Sequence, residues 1–140
     1  MYREFRILLS ILMVVCAWVN SGYALEPDGS TLQPKYYGNV PYISGGVGLD
    51  EREAINQMAK DYNLKLSFAL TSGNYVGDVS IEIRDSSGSV VLEAISNGPW
   101  FISKLPPGRY TVIVNDYEKT QSKVVQVSPK KQTVINFFWR

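Results

Sequence analysis

The alternation of this sequence predicts a small, mainly β domain: a seven-stranded antiparallel-type β-sandwich preceded by one short N-terminal helix. Three observations carry that expectation. From Leu64 to Trp139 apolar side chains recur at every second position in short runs, as strands half-buried on one face require. Clusters of Gly, Pro, Asn, Asp and Ser separate the runs at short intervals, which favours two packed sheets over alternating βα units. A single stretch before Leu64 has helical spacing instead.

The chain begins differently from the domain. Arg3 and Arg6 precede an apolar run from Ile7 to Val19, and Gly22-Tyr23-Ala24 supplies small residues at the −3 and −1 positions of a cut after Ala24. This is the pattern of a secretory signal peptide over residues 1–24. The apolar run is shorter than the ~20 residues a membrane-crossing helix needs, so no membrane insertion is expected after cleavage. Val15 is bulky where a lipoprotein processing site before Cys16 would want a small residue, so lipid attachment is not expected either. The expected location is periplasmic or secreted.

Arg3, Arg6 and Glu4 leave with the signal peptide, and the formal charge falls from +1 to zero. A balanced chain offers little long-range attraction to nucleic acid or to an anionic membrane. Cys16, the one cysteine, leaves as well. Without a disulfide, stability has to come from the apolar core or from a partner.

Residues 25–48 form a lead-in. Its first part, through Gly38, is polar and carries Pro27, Gly29 and Pro34; Val40 to Gly48 mixes apolar side chains with Gly45, Gly46 and Gly48 and reads as an extended segment laid against the domain. No Gly-Lys-Ser/Thr follows these glycines, so a phosphate loop is not indicated. The domain proper is expected over 49–140, with a helix over 51–62. Asp50 stands three residues before Glu53, the spacing of a capping box, and Leu49 is placed to pack on Ala54. Ile55, Met58, Ala59 and Tyr62 make the apolar stripe. Acids at a helix start suit the dipole and the cap, which explains Asp50, Glu51 and Glu53 without a metal.

The seven strands follow in order. Leu64, Leu66, Phe68 and Leu70 face inward on the first, and Val79, Ile81 and Ile83 on the second. Asp85-Ser86-Ser87-Gly88-Ser89 turns the chain into the third, Val90 to Ser96, and Asn97-Gly98-Pro99 delivers a short fourth at Trp100-Phe101-Ile102. Leu105-Pro106-Pro107-Gly108 turns again before Tyr110, Val112 and Val114. Two prolines fix φ there, and Gly108 is expected to hold a positive φ. Val125 and Val127 mark the sixth strand, and Ile135, Phe137 and Trp139 the last. Phe137 and Trp139 carry so much apolar area that they must plug a core edge or cover a partner. Gly45, Gly46, Pro106, Pro107, Gly108 and Tyr110 are therefore expected to be structural.

Three segments taken together, Val40-Pro41-Tyr42-Ile43-Ser44-Gly45-Gly46-Val47-Gly48, Asn97-Gly98-Pro99-Trp100-Phe101 and Leu105-Pro106-Pro107-Gly108-Arg109-Tyr110-Thr111-Val112, resemble small exported bacterial proteins named for a carboxypeptidase regulatory-like domain. The likeness runs from about Val40 to Trp139. It implies a transthyretin-like, or prealbumin-like, sandwich and a non-catalytic accessory module. In carboxypeptidases such a domain sits beside the catalytic domain and contributes no catalytic residue.

The chemical inventory points the same way. Without histidine there is neither a Ser-His-Asp site nor imidazole for zinc. Ser128 and Lys131 have Ser-x-x-Lys spacing, but Pro129 places them in a loop, where a helical turn would be needed to bring the lysine over the serine. Asp78, Asp85, Asp116 and Glu118 lie at strand ends, where turns favour acids and where only convergence would make a glycosidase pair. No catalytic residue, cofactor or metal is expected. Tyr42, Trp100 and Tyr117 are the candidate partner-binding residues, since aromatics at segment ends offer large contact area at low entropy cost. The expected partner is a periplasmic or cell-envelope protein, with a glycan-binding module as the alternative and a small hydrolase using paired carboxylates behind both.

Overall fold

The computed structural model describes residues 32–140. The expected signal peptide, its cut after Ala24, Cys16 and the first residues of the lead-in lie outside them. The described residues contain nine strands: β1 (Lys35–Tyr37), β2 (Val40–Gly45), β3 (Leu64–Leu70), β4 (Val79–Asp85), β5 (Val90–Ser96), β6 (Trp100–Ser103), β7 (Gly108–Asn115), β8 (Thr120–Val127) and β9 (Thr133–Trp139). Helix α1 (Leu49–Met58) runs on into a 3-10 turn, Ala59–Asp61. One sheet has the order β1-β2-β6-β3-β9 and the other β5-β4-β7-β8. The described residues thus form a mainly β, sandwich-like domain of two sheets with one short helix.

Two strands exceed the seven expected, and both come from the lead-in. Val40–Gly45 is hydrogen-bonded to β6, with Ile43 opposite Ile102 and Gly45 opposite Trp100, and β1 pairs back on it as a hairpin. The proline and the glycines of this segment hide its strand pattern. The pairing is also not antiparallel throughout. β9 lies parallel to β3, Phe68 beside Phe137 and Leu66 beside Ile135, because both strands start at the same end of the sandwich.

Inward residues behave as alternation requires. Leu64, Leu66, Phe68, Val79, Ile81, Ile83, Val112, Val114 and Phe137 are buried in one core. Phe68, Phe137 and Trp139 meet with ring centroids 6.0–6.3 Å apart, so the last strand plugs the core. Its outer edge is closed too: Gln121 Nε2 donates to the Phe138 carbonyl at 2.9 Å and Lys123 Nζ to that of Asn136 at 2.7 Å. Side-chain donors there occupy acceptors that would otherwise invite another strand.

The helix covers the outer face of the five-stranded sheet, where Ile55 and Ala59 bury Ile43 and Ile102 in a second, smaller cluster. Its start differs from the expected cap. Gly48 occupies the N-cap position with no side-chain hydrogen bond, and Leu49 is exposed rather than stapled to Ala54. Glu51 reaches back instead, accepting from the Gly46 and Val47 amides at 2.9 and 3.1 Å.

Gly108 is a second departure. It opens β7 and is not among the positive-φ residues of the described chain, which are Gly38, Gly45, Gly46, Gly73 and Gly88 and the non-glycines Asp78 and Tyr117. The turn is held by a different device: the Tyr110 hydroxyl donates to the Pro106 carbonyl at 2.6 Å, tying the strand back to the proline pair in the manner of a tyrosine corner. Burial first, and then the charge of Asp85, raise the Tyr110 phenol above its ordinary value.

Candidate functional site

Tyr42, Trp100 and Tyr117 do not come together. Tyr42 lies half-buried on β2, stacked on Phe101 with centroids 5.3 Å apart, and packs against the main core. Trp100 is on the opposite face of the same sheet. Its ring rests on Gly46, where a Cβ would come within 3.1 Å of Cγ. The Lys65 ammonium lies 3.7 Å from the Trp100 ring centroid and also donates to Asn56 Oδ1 at 3.2 Å. Burial lowers the Lys65 pKa, and the ring supplies part of the stabilisation that water no longer gives. Arg52 is 4.2 Å from the Tyr75 ring and 5.8 Å from that of Trp100, with its Nε donating to the Gly46 carbonyl at 2.8 Å.

Three glycines allow this corner to close. Gly98 lies so near the Gly45 carbonyl that no Cβ would fit between them, and a Cβ on Gly45 would crowd Glu51 and Leu32. Tyr117 stands apart at the tip of the β7–β8 hairpin, 85% exposed and with φ +83°. Asn115 Oδ1 accepts its amide at 2.9 Å, and Asp116 Oδ1 accepts those of Glu118 and Lys119 at 3.2 and 3.0 Å.

The four acids are divided between the two ends of the sandwich. Ser80 pairs with Asn115 and Asp85 with Tyr110, which puts Asp85 at one end of the sandwich and Asp78, Asp116 and Glu118 at the other. Asp85 is committed to its own turn, accepting from the Ser87 hydroxyl at 2.6 Å and the Ser87 and Ser89 amides at 2.9 and 3.0 Å. Those bonds, the Ser87 hydroxyl foremost, lower its pKa. Among the described residues no group of three or more acids, histidines or cysteines could hold a metal.

A groove of about 950 Å3 opens at the Asp85 end. The end of α1 and its 3-10 turn, the β1–β2 hairpin, and the β6–β7 and β8–β9 loops contribute its walls. Lys60, Lys104, Lys130 and Lys131 line it, with Asp61 as the one acid and with Tyr36 and Tyr62 beside them. Amide side chains hold the walls in place. Asn63 donates to the Leu105 carbonyl at 2.7 Å and accepts the Leu105 amide at 2.9 Å, while Gln132 Nε2 donates to the Ala59 and Tyr62 carbonyls at 3.0 and 3.2 Å. Each such bond contributes about 1 kcal/mol.

The cations themselves are free. None of the four lysine ammonium groups makes a salt bridge or a hydrogen bond among the described residues, and all four residues are exposed. Burial first, then the charges of Tyr36 and Asp61, raise the Tyr62 phenol above its usual value, so at neutral pH it presents a neutral hydroxyl.

Sequence reasoning missed this groove. Its lysines lie at 60, 104, 130 and 131, in segments that meet only when the strand ends are assigned to the same end of the sandwich. The available signal was that every one of them falls at or beside a helix end or loop. A scan against protein-family models matches none for this chain, and a search of curated proteins finds no relative of it.

Proposed function

We propose that this chain is a non-catalytic accessory module, exported to the periplasm or beyond, that acts by binding through the groove at the Asp85 end of its sandwich. The observation that carries this reading is the set of four lysines, unpaired among the described residues, around an open, braced cavity. Free charges on a rigid wall attract a ligand without having to leave an internal partner first. The carboxypeptidase regulatory-like, transthyretin-like form suggested by the sequence suits such a role, and the Tyr110–Pro106 corner beside the groove supports it. The groove also holds Asp61 without a second carboxylate to complete an acid–base pair.

The test is retention of cell-envelope components by the immobilised mature chain. The wild type is expected to retain a component that a variant with Lys60, Lys104, Lys130 and Lys131 replaced by serine does not. Equal retention by the variant would remove the groove from the function. Turnover of a peptide or glycan by highly purified protein would overturn the non-catalytic reading.

A further inference from the structure

We infer that the ligand of the groove is an anionic oligosaccharide, its carboxylates met by Lys60, Lys104, Lys130 and Lys131 and its sugar rings by Tyr36 and Tyr62. This rests on the binding role proposed above and names the ligand class. Charge comes first: four ammonium groups against the single Asp61 carboxylate make a local excess of +3 on a chain whose total is +1. Lysines are compact point charges on flexible stems, able to meet carboxylates from several directions. They suit a ligand whose charges repeat along a chain better than one planar group that wants a fork.

The wall chemistry separates a glycan from an acidic peptide. Pro41, Pro106, Pro107 and Pro129 line the groove, and proline has no N–H. A peptide added along a wall as a β-strand would need amide donors for its carbonyls, and at these four positions there are none. Recognition falls to side chains: lysine ammonium groups, amides and the phenolic hydroxyls. Tyr36, 67% exposed, shows the groove a ring on which the apolar face of a sugar can rest, and Tyr62 lines the groove with it. At about 950 Å3 the cavity is near the upper end of the range of about 300–1,000 Å3 for small-ligand pockets, room for more than one ring.

Titration of the mature chain with tetragalacturonate, followed by calorimetry and by amide shifts in NMR spectra, tests the inference, with maltotetraose and tetraglutamate as probes of matched length. At low salt, tetragalacturonate is expected to bind at least about tenfold more tightly than either probe, and to weaken by about tenfold in 0.5 M NaCl. In the wild type the shifts should cluster at residues 36, 60–63, 104–107 and 129–132. Replacing Lys104, Lys130 and Lys131 by serine should cost at least about tenfold in affinity, and Tyr36→Ala should weaken tetragalacturonate several-fold while leaving tetraglutamate unchanged. Tetraglutamate binding as tightly as tetragalacturonate would overturn the glycan assignment, as would shifts confined to other surfaces or an absence of saturable binding. Should the glycan fail while the four-lysine variant still loses its envelope component, the binding role stands and only the ligand class falls.

Discussion

Two parts of this molecule are made of lysine or arginine beside aromatic rings, and they do opposite things. At the corner formed by β2, β6 and α1, Lys65 and Arg52 lie over Trp100 and Tyr75, and the tryptophan rests on Gly46. Both cations there already have partners from the same chain, Lys65 also bonding Asn56 and Arg52 the Gly46 carbonyl. At the far end of the sheet, Lys60, Lys104, Lys130 and Lys131 surround a cavity beside Tyr36 and Tyr62 without pairing to anything among the described residues. Residue type therefore does not separate a structural cluster from a binding surface. What separates them is whether the fold has spent the interaction.

That contrast can be broken experimentally, and the corner should give way first. Gly98→Val would drive a side chain into the Gly45 carbonyl, and backbone cannot swing aside as a flexible side chain can. A loss of about 3 kcal/mol or more is expected in denaturant unfolding. A variant as stable as the wild type would mean that β2 and β6 do not lie this close.

Trp100→Ala removes the ring on which the corner is built. Because Trp100 is only half-buried, the expected cost is about 2–3 kcal/mol, below that of a fully buried aromatic. If unfolding free energy is unchanged while partner capture is lost, Trp100 belongs with the binding surface and the contrast is wrong.

Tyr117 is an aromatic that the fold does not use. Its side chain is in solvent and its backbone is left-handed, so Tyr117→Gly should stabilise the domain by about 0.5–1 kcal/mol. Thermal melting of the two proteins measures this directly. A lower melting temperature in the variant would show that the ring makes a stabilising contact.

Replacement of the four groove lysines by serine should sharpen the comparison from the other side. Exposed charges without partners contribute little to folding, so stability should stay within about 0.5 kcal/mol of wild type at 0.15 M salt. A large loss would mean that these lysines brace the groove. The smallest effect expected is at Asp85. Its pKa is depressed in the folded protein, so its contribution is present above the ordinary Asp range and is lost as pH falls through the folded value. Asp85→Asn should melt slightly below wild type at pH 7, and the gap should close in acid; a gap that persists at pH 2 would assign the effect to geometry rather than charge.

Much of the framework was legible because alternation is a local property. Leu64, Leu66 and Phe68 had to share a face, as did Val79, Ile81 and Ile83, and each set is buried. The Asp85–Ser89 turn likewise depends on neighbours within a few residues, whereas at the next proline turn the expected positive φ at Gly108 gave way to the Tyr110–Pro106 bond. β2 was less legible, since Pro41, Gly45 and Gly46 dilute its pattern and its strand character comes from β6, nearly sixty positions away. The helix stripe was readable in Ile55 and Ala59, whereas the role of Glu51 was not, because its partners are fixed by how the loop returns across the sheet.

By itself, the sequence determined which side chains alternate, where the chain turns and that histidine chemistry is absent. Tertiary structure alone decided that Lys60, Lys104 and Lys130–Lys131 share one cavity and that Trp100 is enclosed by Gly46, Lys65 and Arg52. The physical reason is range. Periodicity and turn chemistry act over a few residues along the chain, whereas the grouping of charges depends on which strand ends meet, and in a two-sheet fold the pairing of distant strands sets that.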